Sequence, residues 1–181
     1  MLLRHAVQCA EAPDQVAGIN RYDLAVGEQL RQRASQGGLA GRPGEPLLKV
    51  ALLGDVMLGR LVNEALAETN PAYPWGDTLP LLESADWRLC NLECVLSDRG
   101  SPWSVFPKTF HFRSAAKNIA VLQAARINAV SLANNHVLDF GYDALLEMLE
   151  ILDRAGIVHS GAGANLEQAS RLATATVCGR K

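Results

Sequence analysis

Apolar positions along the chain change period several times, and each change predicts an element. Residues 47–53 form a short, mostly apolar run that fits a buried parallel strand. After Gly54-Asp55 the apolar residues Leu58, Leu61, Val62, Ala65 and Leu66 recur at helical spacing. The segment Asn70-Pro71-Ala72-Tyr73-Pro74-Trp75-Gly76 breaks the chain. Residues 79–85 then read as a short helix and 87–92 as a second strand. Residues 97–109 show no period and carry Gly100, Pro102 and Pro107; long connections of this kind tend to be functional or mobile. Phe110-His111-Phe112 alternates as a strand does, and 115–125 reads as a helix.

The strongest signals come next. Residues 127–132 predict a third main strand, and 142–155 the clearest helix, with Leu145, Met148, Leu149 and Leu152 on its apolar face. Glu150 and Arg154 form an i,i+4 pair there, and Gly156 suits the helix stop. Residues 157–159 predict a short strand, 166–170 a helical turn, 174–178 a last strand, and 179–181 a hairpin turn. Strand-helix-strand-helix-strand order predicts an α/β fold with a parallel-rich sheet and flanking helices.

The first 46 residues read differently. Tyr22, Val26 and Leu30 lie roughly on one helical face, but residues 36–46 hold four glycines and two prolines in eleven positions and read as a linker. This predicts an N-terminal appendage, partly disordered, ahead of one domain over 47–181.

Composition narrows the function classes. A length of 181 residues is enough for one domain with a real core, and no apolar run approaches a membrane span. Residues 1–5 lack the apolar region of a secretory signal, so the expectation is a cytoplasmic or membrane-peripheral protein. A formal charge of −2 and the lack of a basic stripe argue against nucleic acid as partner. The four cysteines, Cys9, Cys90, Cys94 and Cys178, lack zinc-ribbon spacing, and Cys90 reads as a small buried hydrophobe.

Right-handed crossovers place all strand carboxyl ends on one sheet edge. Three strands deliver polar residues to it: Asp55; Asn91 and Glu93; then Asn134, Asn135, His136 and Asp139. Each residue alone has an ordinary explanation. Asp55 at a strand end has the alternative of a helix N-cap, Asn-Asn that of turn chemistry, and Glu93 that of a loop carboxylate paired with Arg88 or Arg99. Together they offer carboxylate, amide oxygen and imidazole, ligands suited to hard or borderline divalent metals. A cation there would polarise a phosphoryl oxygen and acidify a bound water, with His136 giving or taking the proton. Asp139 either orients His136 or caps the next helix. Arg60, Lys108 and Arg113 are candidates for holding a phosphorylated or polyanionic substrate, set against ordinary surface charge. Trp103 and Phe106 either cover the site or anchor their loop. His111 reads as structural, and His5 and His159 as incidental.

These motifs resemble a known family. Gly54-Asp55-Val56-Met57-Leu58-Gly59-Arg60, Asn91-Leu92-Glu93, Ser131-Leu132-Ala133-Asn134-Asn135-His136 with Asp139 and Gly141, Ala155-Gly156-Ile157 and Gly161-Ala162-Gly163 are similar to the CapA-type capsule-biosynthesis family. That family is associated with poly-gamma-glutamate synthesis and looks like part of the calcineurin-like metallophosphoesterase superfamily. The resemblance runs from about residue 49 to 169. It implies the N-terminal part of an α/β/β/α sandwich, a metal-dependent phosphoester hydrolase, and possible protein partners in capsule synthesis.

By the same resemblance Asp55 and Asn135 fall on metal ligands, Asn91 on a metal-bridging aspartate, and His136 on the proton donor. The metal would be a divalent ion such as Mn, Fe, Zn or Mg. This chain departs from the pattern at Met57, where a histidine is usual, and at Asn91, where Glu93 is the compensating carboxylate. The superfamily's later Gly-His-x-His type motif has no counterpart after His136, where only His159 follows. The expectation is therefore an incomplete domain that holds its metal weakly. The alternative is a non-catalytic structural or partner-binding component of a capsule assembly complex. An esterase of the Ser-Gly-Asn-His type would need a serine after Asp55, and that residue is Val56.

Overall fold

The computed structural model describes residues 47–105 and 107–181; the predicted N-terminal appendage and linker, Cys9, His5 and Phe106 lie outside them. Four strands form one all-parallel sheet: β1 (Val50–Val56), β2 (Trp87–Leu92), β5 (Ala129–Ser131) and β6 (Val158–Ser160), hydrogen-bonded in that order. Two shorter strands, β3 (Val95–Leu96) and β4 (Arg113–Ser114), pair in parallel as a separate ribbon. The helices are α1 (Leu61–Ala65), α2 (Leu79–Glu83), α3 (Ile119–Ala124), α4 (Gly141–Arg154) and α5 (Leu166–Ala169), with 3-10 turns at Tyr73–Thr78 and Ala116–Asn118. The α/β fold with a parallel sheet is as the sequence predicts, and it is consistent with the N-terminal part of a metallophosphoesterase-like domain.

The sheet's two faces are unlike. Its inner face packs on the helices: Cys90 and Leu92 of β2 and Val130 of β5 join Leu122, Leu145, Met148 and Leu152 in the main core. Burial pushes the Cys90 and Cys94 thiols up to about 12, so both stay neutral and behave as small apolar groups. Arg88 is buried at the amino end of the same face. Its guanidinium donates to the carbonyls of Leu82, Glu83, Ala85 and Arg126 and to Asn128 Oδ1. The outer face carries Val50 and Leu52 of β1, 46% and 75% exposed, beside the half-buried Trp87 and Leu89. A cavity of about 310 Å³ separates this face from Ala173, Thr174, Ala175 and Val177 near the C-terminus.

Several expected elements are corrected. The first strand begins and ends three residues later than expected, so Asp55 lies inside β1 and not after it. Only Leu61–Ala65 is helical after it, although Leu58 and Leu66 still reach the core. Phe110-His111-Phe112 is no strand; its alternation serves ring stacking, described below. The short paired strand is Arg113–Ser114. Residues 174–178 also form no strand, because no neighbouring strand pairs with them among the described residues. Val177 and Arg180 instead make one antiparallel bridge around Cys178-Gly179.

Candidate functional site

The site grows from the carboxyl ends of three adjacent strands. Register pairs Asp55 with Asn91 and Asn91 with Ser131. A bulge lies between Leu52 and Asp55: two residues of β1, Leu53 and Gly54, stand against one of β2, Cys90. In a regular ladder Asp55 would face inward, since side chains alternate. The extra residue returns it to the outer face, beside Asn91. Glu93, two residues beyond Asn91, follows on the same side. The polar site is thus the carboxyl-end continuation of the apolar outer face.

A chain of amides ties these groups together. Asn134 Oδ1 accepts the backbone N–H of His136 at 3.0 Å. Asn134 Nδ2 donates to Leu92 O and to Asn91 Oδ1, each at 3.0 Å. Asn91 Nδ2 donates to Asp55 Oδ1 at 2.8 Å and to Glu93 Oε2 at 3.0 Å. The Glu93 carboxyl is pushed up to about 7, first by burial and then by the hydrogen bond and negative charge of Asp55, against a smaller opposing pull from Asn91. Glu93 therefore belongs to the hydrogen-bonded cluster with Asp55 and Asn91. Its other candidate partners are committed elsewhere, Arg88 to the carbonyls above and Arg99 to Glu147 at 3.2 Å.

The second half of the site is an oriented imidazole. His136 and Asp139 are buried, and His136 Nδ1 lies 2.7 Å from Asp139 Oδ2. The same oxygen accepts the Phe112 N–H at 2.7 Å, and Asp139 Oδ1 takes the Lys108 ammonium. With Asp139 as acceptor, Nδ1 carries the proton and Nε2 is left facing Glu93, whose Oε1 is 3.9 Å away. The Phe112 ring stacks on His136 with centroids 4.1 Å apart. Asp139 orients His136; it makes no hydrogen bond to α4's backbone N–H groups.

The three candidate substrate cations are placed differently. Lys108 is drawn inward to Asp139 and to the Asn135 carbonyl at 2.6 Å. Arg113 lies over the Phe140 ring at 4.2 Å. Arg60 is exposed, adopts φ 53° and ψ −131°, and reaches to 5.2 Å from the Phe110 ring, which stacks on Phe112. Arg60 thus stands over the outer end of the ring stack Phe110–Phe112–His136. Asn135 is exposed and enters this network through its carbonyl. Met57 turns its sulfur to the Gly59 N–H at 3.1 Å. Trp103 anchors its loop: its N–H donates to the Asp139 carbonyl, its carbonyl meets His111 Nε2, and its ring packs edge-on against Tyr142. His159 pairs with Asp153 at 3.0 Å, away from the site.

Sequence reasoning missed Phe112 as the plate under His136, and it weighed Lys108 only as a substrate cation or as surface charge, not as the partner of Asp139. The aromatic-His-aromatic run behind a lysine was the available signal. Gly161 approaches Ala133, the residue before Asn134. At φ 93° any Cβ there would come within 2.6 Å of Ala133, so only glycine lets the end of β6 meet the Asn134 loop. Among the described residues, no three of His, Cys, Asp and Glu stand close enough together to hold a metal ion.

Comparison with known proteins decides the family. Residues 49–181 match the model of the bacterial capsule synthesis protein family. The chain belongs to that family. It is 33% identical over 172 residues to a probable polyglutamine synthesis accessory protein of Mycobacterium tuberculosis, covering 91% of this chain and 43% of that protein. It is 25% identical over 133 residues to the capsule biosynthesis protein CapA of Bacillus anthracis, covering 73% and 32%. With the CapA of Bacillus subtilis, which acts in PGA biosynthesis by its name, identity is 21% over 127 residues, covering 70% and 33%. The chain therefore spans less than half the length of these relatives. No helix among the described residues is long and apolar enough to cross a membrane.

Proposed function

We propose that this capsule-family chain carries one side of a phosphoester hydrolase site that serves polyglutamate capsule synthesis. The carrying observation is the His136 ring, fixed by Asp139 with Nε2 turned toward the Asp55–Glu93 pair. Asp55 and Glu93, brought together on the Asn91 amide, are the carboxylates that would hold a divalent cation. Burial first, and then the hydrogen bond and negative charge of Asp55, raise Glu93 to about 7, and a cation between the two carboxylates would relieve that charge. The residues do not fit a two-metal centre: Met57 supplies no imidazole, and Asn91 turns its NH2 and not its oxygen to the carboxylates. When bound, the cation would polarise a phosphoryl oxygen.

The chain's own residues would do the rest. His136 Nε2 exchanges the proton with the reacting oxygen, Asp139 and Phe112 hold the ring, and Arg60 offers charge to a polyanionic substrate. Capsule-synthesis proteins are the partners this reading implies. The test is hydrolysis of an aryl phosphate with added Mn²⁺. Activity lost on His136→Ala and kept on His159→Ala supports the reading; activity that survives His136→Ala overturns it.

A second reading is a non-catalytic component of a capsule assembly complex. It is favoured by the closed amide chain from Asn134 to Glu93, which satisfies the polar groups with protein atoms alone. Under it, no phosphate is released with any divalent ion.

A further inference from the structure

The two-stranded ribbon has carboxyl ends of its own, and ligands of parallel sheets gather at such ends. β3 runs into Ser97-Asp98 and β4 into Ala115. A cavity of about 190 Å³ opens there, lined by Asn63, Ser97, Asp98, Arg113 and Ala115. None of these belongs to the cluster around Asn91. Its polar groups are anchored by protein atoms and keep hydrogen-bonding capacity in reserve. Asn63 Oδ1 accepts the Ala115 N–H at 2.8 Å, Asn118 Nδ2 at 2.9 Å and the Ser114 hydroxyl at 3.2 Å. A main-chain N–H only donates, so the oxygen of Asn63 is the atom turned to Ala115. Its NH2 has no protein acceptor among the described residues. Asp98 Oδ1 accepts the Ala116 N–H at 3.0 Å, which leaves Oδ2. Arg113 lies over the Phe140 ring, and its Nη1 reaches the carbonyls of Arg99 and Gly100 at 3.5 Å, which leaves Nε and Nη2. Arg113 and Asp98 line one cavity and make no ion pair with each other. Opposite charges anchored on separate elements across one cavity suit a molecule that carries both signs.

We propose that this cavity is a binding site for a small zwitterion of the α-amino-acid class. Arg113 and the Asn63 NH2 take the carboxylate, and Asp98 takes the ammonium. The donor sets match: guanidinium and amide NH2 only donate, and an ionised carboxylate only accepts. Two of the three contacts are charge-assisted, the stronger kind of hydrogen bond. Charge also selects the ligand. A simple anion is repelled by Asp98 and a simple cation by Arg113, so neither gains what a molecule with both poles gains. Size points the same way, because the volume lies below the roughly 300–1,000 Å³ of sites for drug-sized ligands. A free amino acid fits these terms and a polymer of amino acids does not, since joining residues removes the paired α-ammonium and α-carboxylate. The inference is independent of any phosphoester chemistry at the Asn91 cluster.

The test is titration of the full chain with L-alanine, propionate and ethylamine, read from the amide chemical shifts of Asp98, Ala115 and Ala116. L-Alanine moves these signals saturably, with a Kd of about 1 mM or tighter. Propionate, which lacks the ammonium, and ethylamine, which lacks the carboxylate, bind weaker by about tenfold or more. Asp98→Asn and Asn63→Asp each change one pole and keep the acceptor for the Ala116 or Ala115 N–H. Each weakens L-alanine binding by about tenfold or more, whereas Asp55→Asn, in the other cluster, leaves it unchanged. The absence of a saturable shift up to about 50 mM L-alanine overturns the proposal. Propionate or ethylamine binding as tightly as L-alanine also overturns it, because the cavity then reads a single charge. Binding that survives Asp98→Asn, or that falls with Asp55→Asn, has the same meaning. Should a variant fail to fold, the three ligands on the wild-type chain decide alone.

Discussion

The inner and outer faces of the sheet are built from the same four strands and do opposite work. On the inner face Cys90, Leu92, Val130 and Leu132 are at most 2% exposed and interlock with α3 and α4. On the outer face Leu52 is 75% exposed, and the strands end in carboxylates and amides. The packed core resides in the face that is closed, and the candidate site in the face that is open. Asp139 and His136 are the exception that joins them. They are buried like core residues, yet they present Nε2 to the outer site. A group that must hold one orientation gains from being packed, and a group that must meet a ligand cannot be.

Substitutions can break or sharpen that contrast. The largest effect is expected at the join: Asp139→Ala leaves the His136 ring and the Phe112 N–H without their acceptor and the Lys108 ammonium without its carboxylate, and should cost about 4 kcal/mol in urea unfolding. Leu132→Ala, wholly on the closed side, should cost about 3 kcal/mol by the same measurement. A loss near zero in either would mean that the closed face does not carry the fold.

The pH dependence comes next. Glu93 is held near 7 in the folded chain against an ordinary 4.5. Between those values the folded state binds more protons than the unfolded one, so stability falls as pH rises from about 4.5 to about 7. Glu93→Gln should remove that slope from the melting temperature measured across this window. The smallest effect belongs to the open face, where Leu52→Ala should change stability by less than about 0.5 kcal/mol. A cost above 2 kcal/mol there would show that the open face is covered in solution.

The legible parts of the sequence were those in which one physical cause sets the pattern. Strand β2 was read to the residue because a strand with one face in the core alternates in burial all along its length. Helix α4 was found because its apolar stripe repeats over fourteen residues. The β3–β4 ribbon was not found, since two residues per strand cannot show a period. Residues 174–178 have β-branched alternation but no pairing strand, and propensity without a neighbour does not make a strand. In the site, proximity of Asp55, Asn91, Glu93 and His136 followed from topology alone. What Asn91 and Lys108 do there did not follow, because hydrogen-bond direction and loop return are set by atoms far away in sequence. The fate of Lys108 needed the loop's path, and the orientation of Asn91 needed the main chain at Leu92 and His136.

The bulge in β1 has a consequence for how this region tolerates insertions and deletions. Removing Gly54 would place Leu52, Leu53 and Asp55 opposite Leu89, Cys90 and Asn91, an unbroken ladder with Asp55 still beside Asn91. A one-residue shortening of β1 would then be silent at the site, whereas the same change in β2 between Leu89 and Asn91 would move Asn91 to the wrong side. Homologous chains that differ in length before the Asp55 position therefore need not differ in chemistry, and alignments of this region are better anchored on β2 than on the first strand.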